Sequence, residues 1–217
     1  VFHLAGEPVA EGRWTAAKKQ RIRQSRVEGT RNLVAAIESL PERPKILVSA
    51  SAVGFYGDRG DEMLEETSAP GQDFLAGVCR EWEAEALRAA SLGIRVVTAR
   101  IGLVLGPSGG ALARMLTPFK LGLGGRLSSG RQWMPWVHLD DLVGLLLHAA
   151  GNAAISGAMN AVGPAPVTNR EFTETLATVL NRPAIFPVPA FAIRLMFGEV
   201  ADVLLGSQRV LPKVAER

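Results

Sequence analysis

The sequence predicts an α/β fold: a doubly wound, mostly parallel sheet with a small C-terminal cap. Three observations lead there. Short continuous apolar runs have the texture of strands buried on both faces. Amphipathic helical segments separate them. Beyond Asn181 prolines break the pattern. Strands alternating with helices at this spacing need crossover connections, and crossovers build parallel sheets.

Taken in order, Val1-Phe2-His3-Leu4-Ala5-Gly6 is an apolar strand that leaves through small residues. Thr15 to Leu40 reads as a helix with Thr15 as its N-cap and Ile22, Val27, Thr30, Val34 and Ile37 along one face. Lys45 to Ala50 is a buried strand, Gln72 to Ala90 a helix with Leu75, Val78, Cys79, Trp82 and Ala86 on one side, and Ile94 to Ala99 a second buried strand. A glycine-rich stretch, Gly102 to Gly130, contains a helix around Ala111 to Leu121. Trp136 to Leu139 leads to Asp140 and Asp141, the expected N-caps of an apolar helix ending near Ala150. Ala158 to Val162 reads as a strand. Thr168-Asn169-Arg170-Glu171 fits a capping box opening a helix to about Leu180. Pro183, Pro187 and Pro189 exclude a central strand, and one amphipathic helix is expected over Ala190 to Leu205. The expected division is residues 1–155 for the sheet domain and 156–217 for a cap at the carboxyl ends of the strands, where open α/β sheets place ligands.

The 217 residues, 47% hydrophobic and 21% charged, suffice for a self-supporting core. A single cysteine forms no internal disulfide, and three scattered histidines give no zinc spacing, so no metal is expected. Apolar runs fall well short of the ~18 residues of a membrane span, and no signal-peptide pattern opens the chain. A cytoplasmic compartment and no membrane association are the expectation. The sequence pI of 9.4 raises nucleic-acid binding. Arg13, Lys18, Lys19, Arg21, Arg23, Arg26 and Arg31 cluster, but Asp58, Asp61, Glu62, Glu65, Glu66 and Asp73 answer them. With aromatics at 6% and no recognition motif, a solvated helix face outweighs an anion-binding one, and no nucleic-acid partner is expected.

Four segments bear chemistry. His3 to Gly6 ends a strand in residues small enough for a flat ligand to approach the backbone. Ser49-Ala50-Ser51-Ala52-Val53-Gly54-Phe55-Tyr56-Gly57-Asp58 places hydroxyls where a buried strand ends; without a Gly-x-Ser-x-Gly elbow, Ser51 is not a hydrolase nucleophile. Tyr56 is the only tyrosine, a site residue or a loop anchor. Arg100 to Pro107 follows the next strand with the turn residues of a ligand-approaching loop. In Arg131 to Val143, Arg131 is either a bidentate clamp for phosphate or carboxylate or a surface arginine stacked on Trp133.

Together these segments resemble an extended or atypical short-chain dehydrogenase/reductase, with Ser51 to Gly57 at the catalytic-serine loop and Trp136 to Val143 at the Val-His-x-Asp-Asp-Leu segment. Cys79-x-x-Trp82-Glu83, Gly163-Pro164-x-Pro-Val-Thr-Asn169 and Gly198-Glu199 through Gln208-Arg209-Val-Leu-Pro212 resemble its NAD(P)-dependent epimerase-like branch with a C-terminal domain of unknown function. The resemblance implies a Rossmann-type sheet and an oxidoreductase or epimerase-like activity. It implies NADP(H) rather than NAD(H), a small hydroxylated or nucleotide-linked substrate, and a homodimer as one possible assembly. It assigns nicotinamide-side contacts to Ala5, Gly6, Ser49, Ser51, Arg100 and Ile101, and substrate contacts to Arg131, Trp133 and His138.

Two departures matter. The superfamily's Tyr-x-x-x-Lys pair falls on Leu75 and Cys79, neither able to serve as a tyrosine-lysine proton carrier. Ser51 and Tyr56 are then the expected catalytic groups, with an ordered water as Tyr56's rival and binding without turnover as the rival function. Arg26 stands where many relatives have a supporting asparagine. The 217 residues also hold no Gly-x-x-Gly-x-x-Gly turn between an opening strand and helix, so the resemblance places about 60 residues, at ~30 per strand-helix-strand unit, ahead of Val1.

Overall fold

The computed structural model describes residues 1–217. Along the chain run β1 (Phe2–His3), α1 (Ala16–Glu38), β2 (Ile46–Ala52), a 3-10 turn (Val53–Tyr56), β3 (Met63–Leu64), α2 (Phe74–Leu87), β4 (Arg95–Ile101) and β5 (Leu103–Gly106). They are followed by α3 (Gly110–Lys120), β6 (Trp133–Met134), β7 (Trp136–His138), α4 (Leu139–Gly151), β8 (Gly157–Ala161), β9 (Val167–Thr168), α5 (Asn169–Leu180), α6 (Ala190–Phe197), α7 (Ala201–Leu205) and β10 (Arg209–Val210).

The central sheet has the order β1-β2-β4-β8, and every pairing in it is parallel. Alternation along each strand sorts side chains to two faces. Leu47 and Val96 join Val34 and Ile37 of α1 and Ala86 of α2 on one face. Val48, Val97 and Met159 join Leu142, Leu146 and Ala149 of α4 on the other. Helices therefore cover both faces, which explains why the strands read as continuous apolar runs. Each fully buried valine, leucine or methionine side chain here stabilises the fold by about 1.5–3 kcal/mol.

Local chemistry fixes the helix starts. Thr15 accepts from the Lys18 amide, Asp73 from the Ala76 amide, and Thr168 with Glu171 forms the complete capping box. α4 differs from expectation: its N-cap is His138, whose Nδ1 accepts from the Asp140 amide at 3.2 Å. Asp140 and Asp141 lie in the first turn instead, where their charges meet the positive end of the helix dipole. At the other end of α4, Arg95 donates to the carbonyls of Ala149, Ala150 and Ile155 at 2.7–2.8 Å. One guanidinium from β4 thus satisfies the end of α4 and the turn that leads to β8.

Two expectations about the C-terminal part change. The sheet continues through β8, so a boundary at 155 would cut off its fourth strand; the cap begins after Ala161. The single helix expected over Ala190 to Leu205 is two, because Gly198 at φ +59 leaves the helical region and turns the chain between α6 and α7. The cap is tied to the carboxyl end of β2. Gln208 Nε2 donates to the Val53 and Gly57 carbonyls at 3.1 and 2.9 Å, and β10 pairs in parallel with β3.

Candidate functional site

Register brings the ends of the parallel strands together. His3 lies beside Ser49, Ser51 beside Arg100, and Arg100 beside Asn160. Ala5 and Gly6 leave β1 exposed, and half-buried Ile101 closes β4, on the other side of β2 in the sheet order. This edge is the candidate ligand floor.

Beneath it lies a buried polar network. Ser49, Ser51, Thr98 and Arg100 continue, by alternation, the sheet face that α1 and α2 cover. Glu83 enters from α2, four residues after Cys79 and three before Ala86 on the inward stripe. Ser51 Oγ donates to Glu83 Oε1 at 2.6 Å. Arg100 grips the same carboxylate with two bonds, Nε to Oε1 at 2.9 Å and Nη2 to Oε2 at 3.0 Å. Its Nη1 donates to the Tyr56 hydroxyl at 2.9 Å and the Glu66 carbonyl at 3.0 Å, and the guanidinium lies 3.5 Å over the Phe55 ring. Tyr56 in turn donates to Asn160 Oδ1 at 2.7 Å. Ser51, Glu83, Arg100, Tyr56 and Asn160 each have a partner, the condition for a buried charged group to be tolerated.

The electrostatics follow from this placement. Burial pushes the Tyr56 phenol above its usual value, against the opposing pull of Arg100. Burial acts to lower Arg100, but the Glu83 carboxylate outweighs it and holds the guanidinium above its usual value. Burial, helped by Glu83, pushes the Cys79 thiol up to about 12. Burial lowers Arg26. Its guanidinium lies 5.1 Å over Trp82 and donates to the Glu7 carbonyl at 3.0 Å, beneath the loop that begins at Gly6.

The expected site residues divide accordingly. Ala5, Gly6 and Ile101 lie at the floor. Ser51 is 3% exposed at its base, its proton held by Glu83. Ser49 is fully buried, its only bond a 3.3 Å contact to the Ala50 carbonyl. Arg100, expected beside a cofactor, instead turns its guanidinium into the core. Tyr56 is fully buried with its hydroxyl bonded on all sides, which gives it the geometry of an anchor rather than a proton carrier facing a ligand. Leu75 packs below Gly54 and Cys79 is 4% exposed, so neither replaces the missing pair.

The three expected substrate contacts separate. Arg131 and Trp133 meet at the cap, where Trp133 Nε1 donates to Asp61 at 2.8 Å and Arg209, not Arg131, stacks on the indole at 4.5 Å. His138 is elsewhere, capping α4. Sequence reasoning did not assign Glu83, Asn160 and Glu66 to the network. Glu83 had a signal: a carboxylate on an otherwise apolar helical stripe needs a buried cation. The basic helix α1 is largely neutralised, with Lys18 and Arg21 on Glu7, Lys19 on Glu199, Arg23 on Glu81 and Arg31 on Glu85.

Residues 1–162 match the NAD dependent epimerase/dehydratase family. The chain belongs to that family. Residues 188–217 match a separate domain of unknown function, the segment that packs on the carboxyl end of β2. Among relatives of this epimerase-family chain, the epimerase family protein SDR39U1 homolog, chloroplastic, of Arabidopsis thaliana is 45% identical over 98% of this chain and 61% of its own length. Epimerase family protein Mb2239 of Mycobacterium bovis is 44% identical over 100% of this chain and 72% of its own. The crystal structure of human epimerase family protein SDR39U1 (isoform 2) with NADPH superposes with a TM-score of 0.93 at 37% identity, covering 99% of this chain and 74% of that one. A nucleoside-diphosphate sugar epimerase from Corynebacterium glutamicum gives 0.79 at 39% identity, over 99% and 41%. The chain thus spans about three-fifths to three-quarters of the first three of these relatives. No helix is long and apolar enough to cross a membrane.

Proposed function

We propose that the protein binds NADP(H) with its nicotinamide side at the ends of β1, β2 and β4, and acts as an oxidoreductase or epimerase-like enzyme on a small hydroxylated or nucleotide-linked substrate. The observation that carries this reading is the 0.93 superposition on a 37%-identical chain solved with NADPH. The residues at the floor suit the ring end of a dinucleotide: Ala5 and Gly6 let a flat group reach the backbone, and Ile101 gives it an apolar side. They do not include a glycine-rich pyrophosphate turn, so the fit extends to the ring end alone. When bound, the dinucleotide supplies the hydride chemistry. This chain supplies Ser51, whose Oγ can accept a hydrogen bond from a hydroxyl because its own proton is engaged with Glu83.

A second reading, cofactor binding without turnover, is favoured by one observation: Leu75 and Cys79 stand at the positions of the superfamily's proton-carrying pair, and the sole tyrosine, Tyr56, is enclosed. Fluorescence titration of the full-length protein with NADPH, followed by NADPH oxidation assays over a broad panel of carbonyl compounds, separates the two. Binding with turnover supports the first, binding without turnover the second, and absence of NADPH binding removes both.

A further inference from the structure

We infer that the double loop formed by residues 120–128 and 182–188 docks on an anionic lipid surface, inserting Leu121, Leu123, Ile185 and Phe186 beneath the headgroups. The two segments leave α3 and approach α6 side by side. Arg182 Nε donates to the Lys120 carbonyl at 3.0 Å. The Val188 amide donates to the Arg126 carbonyl and the Ser128 amide to the Val188 carbonyl, each at 2.8 Å, and Leu127 bridges Val188 in parallel. Between these ties the Phe186 carbonyl approaches Gly125 so closely that a Cβ there would collide with it. Pro183 and Pro187 restrict the backbone of the second segment. The loop is braced at both ends, so little ordering is needed when its tips are covered.

Leu121, Leu123, Ile185 and Phe186 are 69–79% exposed. Single apolar side chains on a surface are ordinary, but four large ones on one braced loop mark an interaction site. Their shape points to the partner. They protrude, and none of them lines the cavities of about 390 and 410 Å³ beside Asp61. A partner helix or peptide would call for a groove, whereas the interfacial region of a bilayer accepts protruding Leu, Ile and Phe side chains.

Charge points to the kind of lipid. No Asp or Glu occurs between Glu85 and Asp140, or between Glu174 and Glu199, so both segments lie in stretches whose only charges are positive. Arg114 and Arg194 reach acids outside these stretches. Lys120 and Arg182, which flank the tips, pair with no carboxylate, in contrast to the neutralised bases of α1. Unpaired basic residues beside an apolar tip are what anionic headgroups attract. Docking of this kind needs no membrane-spanning helix, and the chain has none. The sequence-based expectation of no membrane association rested on runs along the chain; these tips come together from two segments about 60 residues apart. The loop contains no residue of the candidate cofactor floor, so its fate is independent of the NADP(H) reading.

Co-sedimentation of the full-length protein with phosphatidylcholine vesicles and with equimolar phosphatidylcholine/phosphatidylglycerol vesicles tests the proposal. Binding to the anionic vesicles is expected, weakening as salt rises and at least about tenfold tighter than to the neutral ones. It should fall at least about tenfold in L123S/F186S, and K120Q should weaken it on the anionic vesicles alone. The substituted side chains are exposed, so these variants should fold. L147S, which removes an exposed leucine from α4, should bind as the parent does. Absence of binding to the anionic vesicles, equal binding to the neutral ones, equal affinity in L123S/F186S or equal loss in L147S would each overturn it. So would a dimer that L123S/F186S dissolves, or binding of an acidic peptide, in place of vesicle binding; these would assign the face to a second copy of the chain or to a protein partner.

Discussion

Glu83 holds Ser51 and Arg100 with one carboxylate: Ser51 Oγ is 2.6 Å from Oε1, and the Arg100 fork closes on both oxygens at 2.9 and 3.0 Å. This ties the serine at the end of β2 to a helix and to the neighbouring strand. Replacing Glu83 with Leu leaves Arg100 buried and uncompensated, at an expected cost of about 3–5 kcal/mol. Glu83→Gln keeps an acceptor and should cost less. Urea denaturation of the three proteins measures this, and a Glu83→Leu loss no larger than a surface substitution would contradict the network.

Tyr56→Phe should act on stability rather than on ligand binding. The hydroxyl accepts from Arg100 and donates to Asn160, so its loss leaves buried partners unmatched, at about 1–3 kcal/mol. NADPH affinity of the full-length protein should stay unchanged. Turnover lost with stability intact would instead make Tyr56 the proton carrier.

Cys79 should be inert in the folded protein. It is 4% exposed and its thiol is pushed up to about 12, so almost no thiolate exists near neutral pH. Ellman's reagent at mildly alkaline pH should label the chain only after denaturant is added. Rapid labelling of native protein would show that α2 opens locally.

His3 introduces a pH dependence of defined sign. Burial lowers its pKa below the ordinary 6.5 while Nε2 meets Thr30 Oγ1 at 2.9 Å. The unfolded chain therefore takes up the proton first as pH falls. The stability associated with neutral His3 is complete above 6.5 and lost as pH falls through the lower folded value. The difference in melting temperature between the parent and His3→Gln should change on going from about pH 7 to pH 5. A constant difference would mean that His3 is not buried as described.

The doubly wound sheet was legible because Lys45 to Ala50 and Ile94 to Ala99 lack the polar alternation of a half-exposed strand, and only crossovers bury both faces. The capping box at Thr168 was legible because it is a local rule. The break at Gly198 was not, since the apolar spacing of Ala190 to Leu205 continues across it and only the left-handed backbone interrupts it. At the candidate site, sequence patterns point to segments and not to the direction of their side chains. Arg100 and Tyr56 stand where ligand contacts would be expected by position. Their direction is set by partners far along the chain, at Glu83 and Asn160, and no local pattern encodes such pairings. The N-cap of α4 was missed for a related reason: a histidine nitrogen serves as an N-cap only when its ring is folded back onto the second amide beyond it.

Arg95 has a consequence for motion. Its three bonds join the last turn of α4, the Ile155 carbonyl and the first residue of β4 through one side chain. A helix end held only by its own carbonyls unravels on its own; this one can unravel only by releasing a group anchored in the sheet. The final turn of α4 should therefore exchange its amide hydrogens on the slow timescale of the central strands, so that the crossover between β7 and β8 opens as a single unit with the sheet.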